Sequence, residues 1–456
     1  MQVETTDGGR LISGITGGLV GKFTVPGDKS ISHRAVMLGS LAEGTTLVDG
    51  FLNGDDCLAT INCFRALGVD ITIEGTNVTI KSTGSLTGPD PTKPLDVGNS
   101  GTTLRLMAGL LCGQPFTTTL TGDESIQKRP MKRVTDPLSM MGADIDGIYA
   151  PITIKGVAKG AQLKGINYTL PVASAQVKSA ILLASLYAEG ETVIEEPIPT
   201  RDHTEIMLKY LGADITKDGN RIISRPLNTN LTKAKNISVP GDISSAAFLM
   251  AGAAILPGSA ITIKNVGVNP TRTGIIHVLR RMGSDIKLSN NRTVCGEPVA
   301  DIEIRYCALK GTIIEGAEIP TLIDEIPAIA AVALFATGKT IIKGAQELRV
   351  KETDRITAVA EEFGKFFAGS GVVGGKSPKP SITPQEDGMI IDGMIIEGTS
   401  PPTLQAAEVN SRGDHRLAMS LSILALSAQG TSKITDAKCA DISFPGFYAK
   451  ITQKNI

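Results

Sequence analysis

LGVDI at 67–71, MGADI at 141–145, LGADI at 211–215 and MGSDI at 282–286 are four versions of one five-residue phrase. Each closes an amphipathic stretch. In 201–211 the residues Ile206, Met207, Tyr210 and Leu211 form one apolar face, the spacing of a helix lying on a core. The glycine reads as the residue just past the helix end, where a left-handed backbone is needed and a Cβ is costly, and the residues after it open a strand. Self-similarity at a fixed period marks a chain built from repeated units.

Upstream of these phrases lies a second kind of helix. Ala180–Ala188, Ala246–Leu256, Ile326–Ala336 and Leu417–Ala428 are apolar almost all round, as befits a helix buried on every side. Such helices start at small, polar turns: 27–32 (GDKSIS), 98–103 (GNSGTT), 173–179 (ASAQVKS), 241–245 (GDISS), 324–327 (DEIP) and 413–416 (GDHR). A glycine turn and a strand follow, as in Gly44–Val48 and Gly190–Ile194. Six such units account for nearly the whole chain, each a buried helix, a strand, an amphipathic helix and short strands. Helices enclosed by strands, rather than flanking a sheet, imply an α/β (α+β) fold: a two-domain inside-out α/β barrel of six βαβαββ repeats with parallel buried helices. The division places three repeats in 27–240 and three in 1–26 plus 241–456. The fifth repeat is stretched by the Gly/Pro/Ser-rich segment 364–403, which reads as a hairpin with mobile turns.

Composition narrows the function. Among 456 residues, 45 Lys and Arg face 46 Asp and Glu, a net charge of −1, which excludes the field of a general nucleic-acid binder but permits a local basic cleft. The six cysteines (57, 63, 112, 295, 307, 439) form no C-x-x-C pair, against both a structural zinc site and a disulfide scaffold. The longest apolar stretch, Ala246–Ile261, is broken by Gly252, Pro257, Gly258 and Ser259 before it could span a bilayer. The N-terminus lacks a leader pattern. No H-E-x-x-H, Walker loop or His/Cys cluster suggests a metal or nucleotide. The expectation is a cytoplasmic monomer without metal or cofactor, taking small molecules as partners.

Helix N-termini carry unpaired amides and the positive end of the helix dipole, ready anion sites. Ordinary capping, with Asp28, Ser174 and Asp242 satisfying amides, is the plainer reading of any one turn. Six turns accompanied by cations shift the weight towards anion binding. The cations are Lys29, Arg34, Arg129, Arg201, Lys351, Arg355 and Arg416; if the buried helices of both domains point their starts at one gap, these residues line it. The acids nearby are Asp324, Glu325, Glu352, Asp354 and Asp414. Asp354 and Asp414 read as partners of an arginine or of amides, and Asp324 and Glu352 as proton-transfer groups. No nucleophile elbow is present; Ser32-His33 comes nearest, and His33 reads as a structural side chain.

Taken together, PGDKSISHRA at 26–35, GNSGTT at 98–103, KRPMKRV at 128–134, SAQVKSA at 174–180, LRVKETDR at 348–355 and GDHRLAMS at 413–420 resemble the EPSP synthase family over 25–445. RDHTE at 201–205 and NPTR at 269–272 are similar to the set marking its glyphosate-tolerant class II branch. The resemblance implies transfer of the enolpyruvyl group of phosphoenolpyruvate to the 5-hydroxyl of shikimate 3-phosphate. It implies that Lys29, Ser30, Arg34, Ser174, Ala175, Gln176 and Arg201 bind shikimate 3-phosphate. Lys29, Gly101, Arg129, Gln176, Arg355 and Arg416 would hold phosphoenolpyruvate. Asp324 would take the proton of the 5-hydroxyl beside Lys351, and Glu352 would protonate the methylene carbon, with Lys29 counted among the catalytic groups. Two departures stand out: Ile442 where many members carry a lysine before T-F-P, and Glu347 where an asparagine is common. Gly101 keeps the small residue that admits glyphosate in sensitive members, so the class II motifs imply a tolerance that is partial. Two alternatives remain beside this reading. One is a UDP-N-acetylglucosamine enolpyruvyl transferase, disfavoured by Glu124 where a reactive cysteine is usual. The other is a non-catalytic phosphate-ligand binder, disfavoured by the presence of both Asp324 and Glu352.

Overall fold

The computed structural model describes residues 3–157, 162–227, 231, 233–367, 380–393 and 404–452. It divides into two compact units. The first comprises Met1–Pro26, Gly241–Arg292 and Pro298–Ile456; the second comprises Gly27–Pro240 with Thr293–Glu297. Thr293–Glu297 thus goes with the second unit, whereas the expected boundaries place it within 241–456.

One sheet pattern recurs six times among the described residues. Each four-stranded sheet begins with a parallel pair and continues through two antiparallel steps. In the second unit, Leu95–Asp96 runs parallel to Thr118–Thr121, which pairs antiparallel with Ile152–Lys155 and then Asp144–Asp146. Between the first two strands lies the buried helix Gly101–Cys112, and after the second the amphipathic helix Lys132–Met140. That order is βαβαββ. Asn167–Thr169 with Thr192–Glu195, and Ile313–Ile314 with Lys339–Ile342, open two further sheets of the same kind. Of 364–403, Ser381–Gln385 and Gly388–Asp392 form the expected antiparallel hairpin; 368–379 and 394–403 lie outside the described residues.

Two repeats are completed by strands from remote sequence. Val20–Thr24 precedes the helix Lys29–Leu41, yet pairs with Ala260–Gly267 beyond the helix Ile243–Ile255. Ile237–Ser238 precedes that second helix, yet pairs with Glu43–Asp49 beyond the first. In the repeat around the helix His415–Ser427, the closing hairpin comes from the N-terminus: Gly9–Ser13 pairs with Thr431–Thr435, and Val3–Thr6 with Gly9–Ser13.

The buried helices fill the centre of each unit. Every residue of Ile243–Ile255 is buried, and Ile326–Ala333 likewise, so the centre of the first unit is lined largely by aliphatic side chains. The four repeated glycines all adopt positive φ: 85° at Gly68, 94° at Gly142, 97° at Gly212 and 106° at Gly283. At each, the next residue's N–H bonds back five positions, as Val69 to Phe64 and Ala143 to Leu138, while the glycine's own N–H bonds the carbonyl three before it. These are Schellman caps, and a side chain there costs roughly 1–2 kcal/mol. Among the described residues no helix is long and apolar enough to cross a membrane.

Candidate active site

The first unit gathers five of the expected residues into one ion network. Asp324 lies on the turn before the helix Ile326–Ala333, Lys351 and Glu352 follow the 3-10 turn Gln346–Val350, and Arg355 opens the helix Arg355–Gly364. Arg416 sits in the first turn of His415–Ser427, whose start Asp414 caps by accepting from the N–H groups of Arg416 and Leu417. Arg355 is the hub. Its Nε donates to Asp414 Oδ2 at 2.7 Å, Nη2 to Glu352 Oε2 at 2.7 Å, and Nη1 to Asp324 Oδ1 at 3.4 Å. Lys351 Nζ and Arg416 Nη2 stand 3.7 and 3.8 Å from the two oxygens of Asp324.

Three cations and three carboxylates therefore balance in a small, largely buried volume. Burial pulls the Arg355 guanidinium down, but Asp414, Glu352 and Asp324 together raise it, so it stays a cation. Burial pushes the Asp414 carboxyl up, and Arg355 against it outweighs that and holds it below the usual range. Asp414 is thus a partner of an arginine and of amides, as its sequence context suggested. So is Asp354, which caps Arg355–Gly364 and meets Arg349 at 2.6 Å.

In the second unit the expected residues form two neighbourhoods. Gln176, in the first turn of Ala175–Ser185, accepts from Arg105 Nη1 at 2.5 Å and donates to Thr102 Oγ1 at 3.2 Å. A Cβ added at Gly101 would lie 3.0 Å from Arg105 Nη1 and 3.3 Å from Arg129 Nη1. Gly101, Arg105, Arg129 and Gln176 thus share one corner, where Arg129 also donates to Asn99 Oδ1 and Ser125 Oγ at 3.2 Å each. Lys29 opens the helix Lys29–Leu41 and pairs with Asp56 of the helix Asp55–Ala66.

Arg34 proves a framework residue as well as a cation. It is buried, donating Nε to Thr204 Oγ1 at 2.6 Å, Nη2 to Ser179 Oγ at 2.8 Å and Nη1 to the carbonyl of Ser30 at 2.9 Å. Burial lowers its pKa to about 10, leaving it charged at neutral pH. Arg201 lies two residues before the helix His203–Tyr210; within this unit Lys178 Nζ lies 2.8 Å from Glu196 and 2.6 Å from Glu205 in a buried triad. Asp28, Ser100, Ser174, Asp242 and Asp414 each accept from amides of their own buried helix, so these starts are partly satisfied internally.

His33 is a buried structural histidine. Its Nδ1 meets Thr60 Oγ1 at 2.7 Å, and Thr60 passes the contact to Thr103 Oγ1 at 2.7 Å, which donates to Ser100, the cap of the Gly101 helix. Burial, with Lys29 and Arg34 adding to it against Asp56, lowers the His33 pKa to about 3. An unfolded histidine titrates near 6.5. The unfolded chain therefore binds one more proton between those values, and stability falls with pH from about 6.5 towards 3. His33→Asn, which keeps a hydrogen-bonding atom near the Nδ1 position, is expected to flatten the slope of unfolding free energy in that window by up to about 1.4 kcal/mol per pH unit. Urea titrations of both proteins at pH 4, 5 and 6 check it; parallel slopes would reject it.

The sequence reading missed Arg105, Asp56 and Lys178. Arg105 follows Gly101 by one helical turn, a spacing that could have pointed to it. The partners of Lys178 lie 18 and 27 residues away, beyond any local pattern. Among the described residues no group of three or more His, Cys, Asp or Glu side chains is placed to hold a metal ion.

Strand-wrapped buried helices with cations at their starts define an enolpyruvyl-transferase class of fold. The enolpyruvyl transferase NikO from Streptomyces tendae matches 96% of this chain and 95% of its own at a TM-score of 0.75, with 15% identity, a likeness of fold alone. The EPSP synthase of Acinetobacter baumannii is 46% identical, with a TM-score of 0.83 over 96% of both chains. The model of the family EPSP synthase (3-phosphoshikimate 1-carboxyvinyltransferase) matches residues 15–451. Proteins named 3-phosphoshikimate 1-carboxyvinyltransferase from Thermoanaerobacter sp. (strain X514) and Brevibacillus brevis are 52% and 50% identical, covering 94% and 95% of this chain and 96% and 97% of theirs. The chain belongs to the EPSP synthase family.

Proposed function

We propose that the protein transfers the enolpyruvyl group of phosphoenolpyruvate to the 5-hydroxyl of shikimate 3-phosphate and releases phosphate. The observation that carries this reading is the network in which Asp324 lies within 4 Å of Lys351, Arg355 and Arg416 while Glu352 shares Arg355. Two polyanions must be brought together, and cations arranged in advance do that work. In the addition step the 5-hydroxyl gives its proton to Asp324, its oxygen bonds to C2 of phosphoenolpyruvate, and the methylene carbon takes a proton from Glu352. Elimination then breaks the C2–O bond to phosphate, Glu352 takes back a methyl proton, Asp324 returns its proton to the departing phosphate, and the C=C bond re-forms as that of the enol ether. Anions engaging Lys351, Arg355 and Arg416 draw those cations away from Asp324, leaving its oxygens free to accept a proton.

Arg129, Arg355, Arg416, Gln176 and Lys29 hold phosphoenolpyruvate; Lys29, Ser30, Arg34, Ser174, Ala175, Gln176, Arg201, Asp324 and Lys351 hold shikimate 3-phosphate. The motifs at 174–180, 201–205 and 269–272 support placement in the class II branch. Gly101 leaves room between Arg105 and Arg129, consistent with glyphosate entering and tolerance being partial.

Phosphate release from phosphoenolpyruvate tests the function directly. It should require shikimate 3-phosphate and be absent with UDP-N-acetylglucosamine as acceptor; the reverse pattern would overturn the reading. Arg129→Ala should raise the KM for phosphoenolpyruvate by about 10- to 100-fold, the loss of one charge-assisted contact of roughly 1.5–3 kcal/mol, and leave the KM for shikimate 3-phosphate near wild type.

A further inference from the structure

Glu325, the neighbour of Asp324, is fully buried, and none of the chemistry above uses it. Its Oε1 accepts a short hydrogen bond from Ser244 Oγ and lies 3.8 Å from Arg272 Nη2. Arg272 Nη2 in turn donates to Ser244 Oγ at 2.7 Å and to Asp242 Oδ1 at 3.2 Å. Asp242 caps the buried helix Ile243–Ile255 by accepting from the Ser244 N–H at 2.8 Å. All four side chains are buried. Burying a set of charges is costly, and such sets often confer no net stability over an apolar core, so retention calls for another reason.

Geometry supplies that reason. Glu325 is the residue from which the helix Ile326–Ala333 starts, and its carbonyl accepts the Ile329 N–H at 3.0 Å. Two consecutive carboxylates therefore leave one turn in different directions. Asp324 goes into the Lys351–Arg355–Arg416 cluster and Glu325 into the Ser244–Arg272 nest on the neighbouring helix start. The turn is gripped from both sides, and its backbone cannot shift without breaking one set.

We infer that Glu325, held by Ser244 and Arg272, is a positioning residue that fixes Asp324 against its substrate hydroxyl. Misplacing a proton acceptor by about 1 Å is enough to cost of order 100-fold in rate. The inference rests on the reading of Asp324 as the proton acceptor.

The experiment is a double-mutant cycle of Glu325→Gln with Asp324→Asn, with Ser244→Ala as an independent entry to the same nest and thermal unfolding measured on each protein. Glu325→Gln and Ser244→Ala should lower kcat 10-fold or more, with both KM values within about 3-fold of wild type. In the Asp324→Asn background the same substitutions should lower single-turnover rates less than 2-fold, because the group they position is already gone. A full-sized loss in that background means a general structural role, and the inference falls. Wild-type kcat for both Glu325→Gln and Ser244→Ala, with each folded, overturns it as well. If Asp324→Asn itself turns over like wild type, the proton-acceptor reading is what fails, a result distinct from the other two.

Discussion

Asp324→Asn is expected to yield a folded protein whose turnover falls by about 10²- to 10⁴-fold, the range supplied by one positioned proton-transfer group. The fold survives because the change removes one of three carboxylates around Arg355 and leaves the pairs with Asp414 and Glu352. Substrate binding is spared in large part, since Lys351, Arg355 and Arg416 keep their charges and lose a competitor. The KM values should therefore change little while kcat collapses. Glu352→Gln should behave alike, because its amide cannot protonate the methylene carbon. Steady-state kinetics with both substrates varied, beside circular dichroism, decide the matter. Wild-type turnover in either variant removes that residue from the proposed chemistry.

The second large effect concerns Arg355, whose side chain is 1% exposed. Arg355→Met leaves Asp414 buried without its guanidinium, and breaking such a pair costs about 3–5 kcal/mol. Activity should vanish too, because the hub between Asp324 and Glu352 is gone. Adding Asp414→Asn separates the two effects. The asparagine oxygen can still cap His415–Ser427, and with both charges removed most of the lost stability should return while activity does not. The pH dependence has a definite sign. Asp414 titrates below its unfolded value near 4 in the folded protein, so the pair's contribution is present above that value and lost as pH falls through the lower folded one. The gap between wild type and Arg355→Met should accordingly narrow in acid. A gap independent of pH, or a double variant no more stable than Arg355→Met, would contradict this account.

What could be read in advance, and what could not, follows from the range of the forces involved. The glycines at 68, 142, 212 and 283 and the all-apolar helices are local signals, fixed by backbone sterics and side-chain periodicity, and they disclosed the repeat. The candidate motifs sit at helix starts, where capping residues punctuate the sequence, so the positions of Lys29, Gly101, Asp324 and Arg416 at such starts are legible. The Arg355–Asp414 pair spans 59 positions and the Arg272–Asp242 contact 30; a formal charge count cannot say which acid meets which base. Arg34 shows the converse limit. Its charge was evident, yet nothing in GDKSISHRA says that three of its N–H groups serve Thr204, Ser179 and Ser30. The strand exchange was hidden for another reason: Val20–Thr24 and Ile237–Ser238 each look like the opening strand of the helix they precede.

That exchange bears on how the polypeptide emerges from the ribosome. Gly27–Pro240 is nearly all of the second unit and can begin to consolidate during synthesis, while Val20–Thr24 waits for Ala260–Gly267 and the hairpin at 3–13 waits for Thr431–Thr435. Until those late residues are made, two strands near the amino end present open edges to whatever is nearby, the condition under which nascent chains recruit chaperones or stick to one another.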